Sequence, residues 1–274
     1  MKLTKSITRF FTTILIGGFL VGLCCAALLP GYGVLAAAHS GDDRIDIALS
    51  SLKSRTIVFD SAENEIGRIG LEDRDPVKLS QVPEIMKKAV VAVEDQTFWD
   101  NPGIDAKAIL RAASSNVEAG GNSQGGSTIT QQLVKNRVLT DEKTYSRKLK
   151  EAVIAYRITQ IYSKTEILQE YLNTVYFGQG SYGIKSASER FFGKPLKDLK
   201  LSEAALLAGA IQNPEYRNPF LYPDRARERR KQVLEIMREQ KIITKEQADK
   251  ANAEAIPTNR PSAELKPDNY LVAE

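Results

Sequence analysis

Histidine and cysteine are nearly absent from this chain of 274 residues. Its one histidine is His39, so the region beyond it has no Ser-His or Cys-His pair and no histidine-based zinc site. The two cysteines, Cys24 and Cys25, are adjacent within an apolar segment, which excludes a disulfide framework. A formal net charge of +4 is too small to favour nucleic acid as a partner. The scarcity of histidine therefore argues against hydrolases that depend on Ser-His or Cys-His pairs.

The amino-terminal segment contains a charge-free run from residue 10 to residue 29, preceded by Lys2, Lys5 and Arg9. Twenty apolar residues span a bilayer as a helix, and the positive flank places the amino terminus in the cytoplasm. We therefore expect one transmembrane helix, with the rest of the chain on the extracytoplasmic side of the cell membrane. The small residues 36–38 leave a cleavable signal peptide as the alternative.

The rest of the chain is predicted to form one mainly helical domain with a small β-hairpin. The segments Thr56-Ile-Val-Phe-Asp and Glu65-Ile-Gly-Arg-Ile, with a turn-prone stretch between them, predict the hairpin. Apolar periodicity predicts helices at about 83–93, 104–117, 127 onward, 145–162, 164–174, 184–192, 201–211, 223–240 and 244–255. The expected organisation is a cytoplasmic tail (1–9), an anchor (10–38), a linker (39–54), the domain (55–257) and a tail or the start of a further linker (258–274).

One stretch, residues 125–151, has more short polar side chains than a solvated helix face needs. Ser127 is predicted to cap a helix whose apolar side is Ile129, Leu133 and Val134. On the following helix, the spacing of Arg147, Lys148 and Glu151 places all three on one face. Two cations beside a carboxylate suit a pyrophosphate, although a surface ion-pair cluster is the simpler interpretation of that spacing alone.

Two sets of residues are predicted to be structural. One or both of Phe98 and Trp99 are expected in the core. The helix at 223–240 is expected to present a solvated basic face above an apolar one, and that face consists of Arg225, Arg227, Arg229, Arg230 and Lys231.

Five motifs in order resemble the peptidoglycan glycosyltransferase family (glycosyltransferase family 51), found in monofunctional transglycosylases and in the amino-terminal half of class A penicillin-binding proteins. They are Glu94-Asp95-Gln-Thr-Phe98 with Gly103, Gly125-Gly-Ser127-Thr128-Ile-Thr-Gln131-Gln132, Arg147-Lys148-Leu-Lys-Glu151, Ile167-Leu-Gln-Glu-Tyr171-Leu-Asn173, and Ala204-Ala-Leu-Leu-Ala-Gly209 with Pro214. The resemblance covers about residues 55–257.

The resemblance implies a lysozyme-like helical fold beside the membrane and polymerisation of lipid II into β-1,4-linked glycan, with inversion and release of undecaprenyl pyrophosphate. It implies Glu94 as the general base and Glu151 as a second catalytic carboxylate near the donor pyrophosphate. The implied substrate-binding residues are Asp95, Phe98, Ser127, Thr128, Gln131, Gln132, Lys135, Asn136, Arg147 and Lys148. Among these, Lys135, Arg147 and Lys148 match positions that hold the donor phosphates.

The resemblance implies no required cofactor and no protein metal site, with Mg²⁺ or Mn²⁺ as an option beside the pyrophosphate. The implied partners are lipid II, the nascent glycan strand, the membrane, and other cell-wall synthesis and division proteins. The apolar residues Ile104, Ile109 and Leu110 predict that the segment between the Glu94 motif and Gly125 enters the bilayer interface, with an amphipathic helix packed on the core as the alternative. One departure is Asn101, where the family commonly has a histidine that we interpret as structural support.

Two other functions stay open from the sequence. A lysozyme-like hydrolase would use similar acidic residues on the same class of fold. A non-catalytic anchored protein that recruits cell-wall synthesis partners is the second.

Overall fold

The computed structural model describes residues 56–59, 65–69, 73–105, 127–137, 145–259 and 261. Its strands are β1 (Thr56–Phe59), β2 (Glu65–Ile69), β3 (Asp73–Arg74), β4 (Tyr176–Gly178) and β5 (Ser181–Tyr182). Its α-helices are α1 (Glu84–Glu94), α2 (Ile129–Arg137), α3 (Tyr145–Ile161), α4 (Lys164–Thr174), α5 (Ile184–Phe192), α6 (Leu201–Ala210), α7 (Pro223–Glu239) and α8 (Lys245–Ala253). The described part of the chain is mainly helical, as the sequence predicts.

The predicted hairpin is confirmed, because β1 pairs antiparallel with β2 and Thr56 lies opposite Ile69. A second sheet of three short strands, in the order β3-β5-β4, was not predicted. Its strands are two or three residues long, which is too short for an alternating pattern to be recognised in the sequence. Gln179 and Gly180 turn the chain between β4 and β5 with positive φ.

The centre of the core is α6, which packs against α1 and α7. All but two of its ten residues are buried, since only Leu201 and Glu203 are partly exposed. An alanine-rich helix allows close approach on several sides, and α7 also contacts α1 and α8. This packing fixes the carboxyl end of α1, where Glu94 lies, against the middle of the domain.

A second group of helices consists of α2, α3 and α4, with α2 packed against the other two. The residues predicted to point inward from α4, namely Leu168, Tyr171 and Leu172, are fully buried. A capping box begins α4, because Ser163 accepts from the backbone N–H of Glu166 while the Glu166 carboxylate accepts from that of Ser163. This capping box marks the first residue of α4 in the sequence, and the bounds of the helix are those predicted.

Two predictions about helix ends and faces are wrong. Thr128, and not Ser127, caps α2: its Oγ1 accepts the N–H of Gln131, while the Gln131 side chain accepts the N–H of Thr128. Arg230 is buried instead of solvated, and it donates to the carbonyls of Asn252, Glu254 and Ala255 at the end of α8 and just after it. Because α7 is covered by three helices, its buried stripe is wider than the sequence pattern suggests.

Some expectations fall on residues outside those described. The predicted anchor at residues 10–38 does so, as does nearly all of the predicted helix at 104–117 and the segment expected to enter the membrane interface. Within the described ranges, no helix is both long and apolar enough to cross a bilayer.

Candidate active site

Glu94 is the last residue of α1, and its side chain is buried. One carboxylate oxygen, Oε2, accepts a hydrogen bond of 2.8 Å from the side-chain amide of Gln132 on α2. The other oxygen, Oε1, is buried and has no hydrogen-bond partner among the described residues. Native proteins rarely leave such an atom unpaired, so this oxygen has the capacity to accept a further hydrogen bond.

The surroundings of Glu94 affect its pKa in opposite directions. Burial raises the pKa of Glu94 above its usual value because a carboxylate loses its hydration there. The hydrogen bond from Gln132 and the charges of Arg229 and Arg217 work against this rise by stabilising the ionised form. The result is a carboxylate whose affinity for a proton is higher than that of an exposed glutamate, which suits a general base.

Asp95 ties the end of α1 to the start of α2. Its carboxylate accepts the backbone N–H of Ile129 at 3.1 Å and the side-chain amide of Asn101 at 3.0 and 3.1 Å. Burial raises the pKa of Asp95, and these hydrogen bonds oppose the rise. Asn101 is itself held by the ammonium of Lys164 at 3.0 Å. An amide without a titratable proton therefore supports the carboxylate next to Glu94.

Gly103 brings the loop after α1 into contact with both α2 and α3. The hydroxyl of Thr128 donates to the carbonyl of Gly103 at 2.6 Å. Gly103 has a φ of +93°, and a Cβ there would lie 2.4 Å from the carbonyl oxygen of Ala155 on α3. Only glycine fits this conformation and this approach without strain, so the residue is required by the packing of three helices around the site.

Glu151 forms a second polar centre on α3 and is almost completely buried. The ammonium of Lys148, one turn earlier, pairs with its carboxylate and also donates to the hydroxyl of Ser127 at 2.9 Å. The Lys148 side chain is half exposed, with 50% of its surface accessible. This arrangement orients a cation at the surface with a buried carboxylate behind it, and such a cation can contact a phosphate.

Several residues predicted to bind substrate have buried side chains. Asp95, Phe98, Thr128 and Gln131 are all buried. Asp95, Thr128 and Gln131 use their polar atoms in the hydrogen bonds given above, and Phe98 packs in the core with the Lys164 ammonium 4.7 Å from its ring centre. Contact between these four residues and substrate stays a prediction.

The other predicted binding residues differ in position. Ser127 is partly exposed and accepts the bond from Lys148, whereas Lys135 and Asn136 are exposed near the end of α2. Gln132 uses both ends of its amide inside the protein. The backbone of Arg147 belongs to α3, but its side chain lies outside the described set. Trp99 is 52% exposed, so the core expectation holds for Phe98 alone.

Three residues near Glu94 were missed by sequence reasoning. Arg217 and Arg229 interact electrostatically with Glu94 although they lie more than 120 positions along the chain. Tyr171 donates to Gln132 and is fully buried. No local pattern marks such partners.

Among the residues described, no three potential metal-ligating side chains come together. Near the Lys148 ammonium the described chain offers the carboxylate of Glu151, which is already paired with that lysine. A single paired carboxylate is a poor match for the several oxygen ligands that Mg²⁺ prefers. Any divalent ion at this place would depend on oxygens supplied by the substrate.

Comparison with known proteins assigns the chain to a family. The pattern of the family described as Transglycosylase matches residues 62–238. Penicillin-binding protein 1F of Bacillus subtilis is 40% identical over 226 residues, which are 82% of this chain and 32% of that protein. Penicillin-binding protein 1A of Aquifex aeolicus is 44% identical over 217 residues, covering 79% of this chain and 29% of that protein.

The solved structure of penicillin-binding protein 1A from Haemophilus influenzae aligns with 77% of this chain and 21% of that chain, with 26% identity and a TM-score of 0.44. The chain thus spans about a third of the length of the curated relatives it matches. Because the family pattern covers well over half of the chain and the five motifs lie within it, this chain belongs to the transglycosylase family.

Proposed function

We propose that this chain is a peptidoglycan glycosyltransferase that polymerises lipid II into β-1,4-linked glycan strands on a lysozyme-like helical fold. The observation that carries the proposal is the buried carboxylate of Glu94, with one oxygen held by Gln132 and the other unpaired within the described structure. Membership of the transglycosylase family supports the same reaction.

In the proposed reaction Glu94 is the general base. It takes the proton from the 4-hydroxyl of the acceptor sugar while that oxygen attacks the anomeric carbon of the growing chain. The new C–O bond forms as the bond to the pyrophosphate oxygen breaks, so the configuration inverts and undecaprenyl pyrophosphate leaves. The raised pKa of Glu94 favours proton uptake at the working pH.

The donor side of the reaction needs positive charge more than it needs a proton donor. A pyrophosphate leaves with its own negative charge, so a cation stabilises the transition state. Lys148 is the described cation best arranged for this, since Glu151 and Ser127 hold its ammonium in place. Arg147 and Lys135 are proposed to contribute from the same side, and Glu151 acts through Lys148 or a substrate-bound Mg²⁺ or Mn²⁺.

A lipid-linked substrate also implies a place at the membrane. Withdrawing the lipid from the bilayer costs about 0.8 kcal/mol for each CH₂ group, so the site must lie at the headgroup level. The apolar run at residues 10–29 supports a single-pass anchor that keeps the domain there, on the extracytoplasmic side. Other cell-wall synthesis and division proteins are proposed as partners on the same membrane.

Incubation of the purified full chain with labelled lipid II tests the proposal. Wild type should form glycan strands, and Glu94→Gln should lower the rate about 10²–10⁴-fold with its fold intact, because the base is lost and the shape is kept. Glu246→Gln, on the exposed first turn of α8, serves as the matched control and should keep full activity. The melting temperature of each variant shows whether the fold is intact.

The same assay separates the alternatives. Shortening of preformed glycan without polymerisation would assign a hydrolase instead. An intact Glu94→Gln variant that polymerises lipid II at the wild-type rate would refute the assignment of the base, and a wild-type chain with no turnover would favour a non-catalytic role.

A further inference from the structure

The hydroxyl of Tyr171 lies at the far end of a hydrogen-bond chain that reaches Glu94. Tyr171 is in the middle of α4 and is fully buried. Its hydroxyl is 2.8 Å from Oε1 of Gln132, and Nε2 of Gln132 is 2.8 Å from Oε2 of Glu94. Three side chains from three different helices are therefore connected without a break.

The direction of these bonds follows from the chemistry of the groups. An ionised carboxylate only accepts hydrogen bonds, so Gln132 must present its NH₂ group to Glu94. The amide oxygen of Gln132 then faces Tyr171, whose hydroxyl donates to it. If the amide turned over, its oxygen would face the carboxylate, and the two would repel each other.

The terminal amide of Gln132 has two orientations of similar shape, and only one of them presents the NH₂ group to Glu94. Tyr171 reinforces that orientation, because its hydroxyl then donates to Oε1 of Gln132, whereas in the other orientation the phenol could only accept from the NH₂ group. Burying the phenol without that acceptor would leave a hydroxyl unsatisfied, which costs about 1–3 kcal/mol. The tyrosine therefore favours one orientation of Gln132, and through it one orientation of Glu94.

We infer that Tyr171 is a positioning residue: it orients Gln132 so that Oε2 of Glu94 stays occupied and Oε1 stays available for the acceptor hydroxyl. This inference rests on the proposed function of Glu94 as the base. Tyr171 itself touches neither substrate nor the reacting atoms, and it acts only through Gln132.

The charged groups around Glu94 come from several elements. Arg229 belongs to α7, Arg217 lies in the connection before α7, and Asp95 follows Glu94 directly; all three interact electrostatically with its carboxylate. None of them changes when the Tyr171 hydroxyl is removed. A change in the titration of Glu94 after that removal therefore reports on the hydrogen bond from Gln132, which stabilises the ionised form.

The test compares Tyr171→Phe with wild type across pH in the lipid II assay. A base must be unprotonated, so the rate rises with pH through its pKa, and weakening the Gln132 bond raises that pKa. We expect the acid limb of the profile to move up by about 0.5–1 pH unit, with a three- to tenfold loss of rate on that limb. Tyr176→Phe, which removes a hydroxyl bonded to Glu215 at 2.6 Å, should leave the limb in place.

A double-mutant comparison shows whether Tyr171 affects the pKa of Glu94 through Gln132. In a Gln132→Met background, Tyr171→Phe should cause no further shift of the acid limb, because its only route to Glu94 has been removed. An equal shift in both backgrounds overturns the inference, as does a folded Tyr171→Phe variant with an unmoved limb. If Tyr171→Phe fails to fold, Gln132→Met with Tyr171 intact must reproduce the upward shift, and its failure to do so overturns the inference.

Titration of Glu94 by carbon-13 NMR, assigned with Glu94→Gln, separates this inference from the proposed function. A wild-type chain without polymerising activity would refute the proposed function. The NMR titration needs no activity, because it measures the pKa of Glu94 directly in wild type and in Tyr171→Phe. A pKa that rises in Tyr171→Phe supports the hydrogen-bond chain even then, and an unchanged pKa refutes it.

Discussion

Replacing Asn101 by aspartate exchanges one heavy atom, the amide nitrogen, for an oxygen beside Glu94 and Asp95. The amide nitrogen of Asn101 donates to both oxygens of the buried Asp95, and its amide oxygen accepts from Lys164 and from the N–H of Gly103. Asn101→Asp keeps the acceptor and its two donors. It replaces the donor by an oxygen about 3 Å from another carboxylate.

Two free-energy costs compete in this variant: repulsion between the two carboxylates, and uptake of a proton that removes the repulsion. The pair adopts the state with the smaller cost. Two ionised carboxylates at that distance repel by about 5–6 kcal/mol at an effective dielectric constant of 20. Taking up one shared proton at pH 7 instead costs about 4 kcal/mol for a carboxyl with an ordinary pKa near 4. The pair is therefore expected to bind a proton, and the stronger contact with Lys164 returns about 1 kcal/mol. The net loss is about 3 kcal/mol at pH 7.

The pH dependence distinguishes this mechanism from a simple packing defect. The pair has a pKa raised by folding, so its stability is greatest at low pH and is lost as pH rises toward that pKa. The gap in unfolding free energy between wild type and Asn101→Asp should therefore shrink by about 1.4 kcal/mol for each pH unit from 7 toward 5. Denaturant unfolding in detergent at several pH values measures it, with the exposed Asn213→Asp as control. A gap that stays constant with pH would refute the reasoning.

Two further predictions concern the same region. Gly103→Ala should destabilise the fold by more than about 2 kcal/mol, because its Cβ meets the Ala155 carbonyl. Gly180→Ala should lose only about 1 kcal/mol, since its φ is also positive but its surroundings are open. Equal melting temperatures of the two variants would contradict this. Lys148→Met should lower lipid II polymerisation about 10–100-fold through loss of a charge-assisted phosphate contact, while the exposed Lys150→Met should not. An unchanged rate with a lower melting temperature would reduce Lys148 to a structural ion pair.

The helices were predictable from sequence where a cap and an apolar stripe coincide. The bounds of α4 and α5 are as predicted, and α3 and α6 differ by one residue. The error at Ser127 arose because two adjacent hydroxyl residues both suit an N-cap. Only the reciprocal bond with Gln131 distinguishes Thr128.

The interior of the site was less predictable, for a physical reason. Sequence spacing relates residues within one helix, as with Lys148 and Glu151, whose pairing is confirmed. It does not show which helices pack around Glu94. Arg229 and Arg230 were assigned to a solvated face because α7 was treated as having one buried side, whereas its neighbours cover it on several.

The hydrogen bonds around Glu94 also determine when, during folding, the environment that shifts the pKa of this glutamate is formed. Gln132 lies 38 positions from Glu94, Tyr171 lies 39 further along, and Lys164 lies 63 positions from Asn101. Closing such long loops is slow compared with forming a helix, because the entropy must be lost before any contact forms. In a partly folded chain Glu94 is therefore an ordinary hydrated carboxylate. The capacity for proton transfer should appear on refolding together with the slowest global phase.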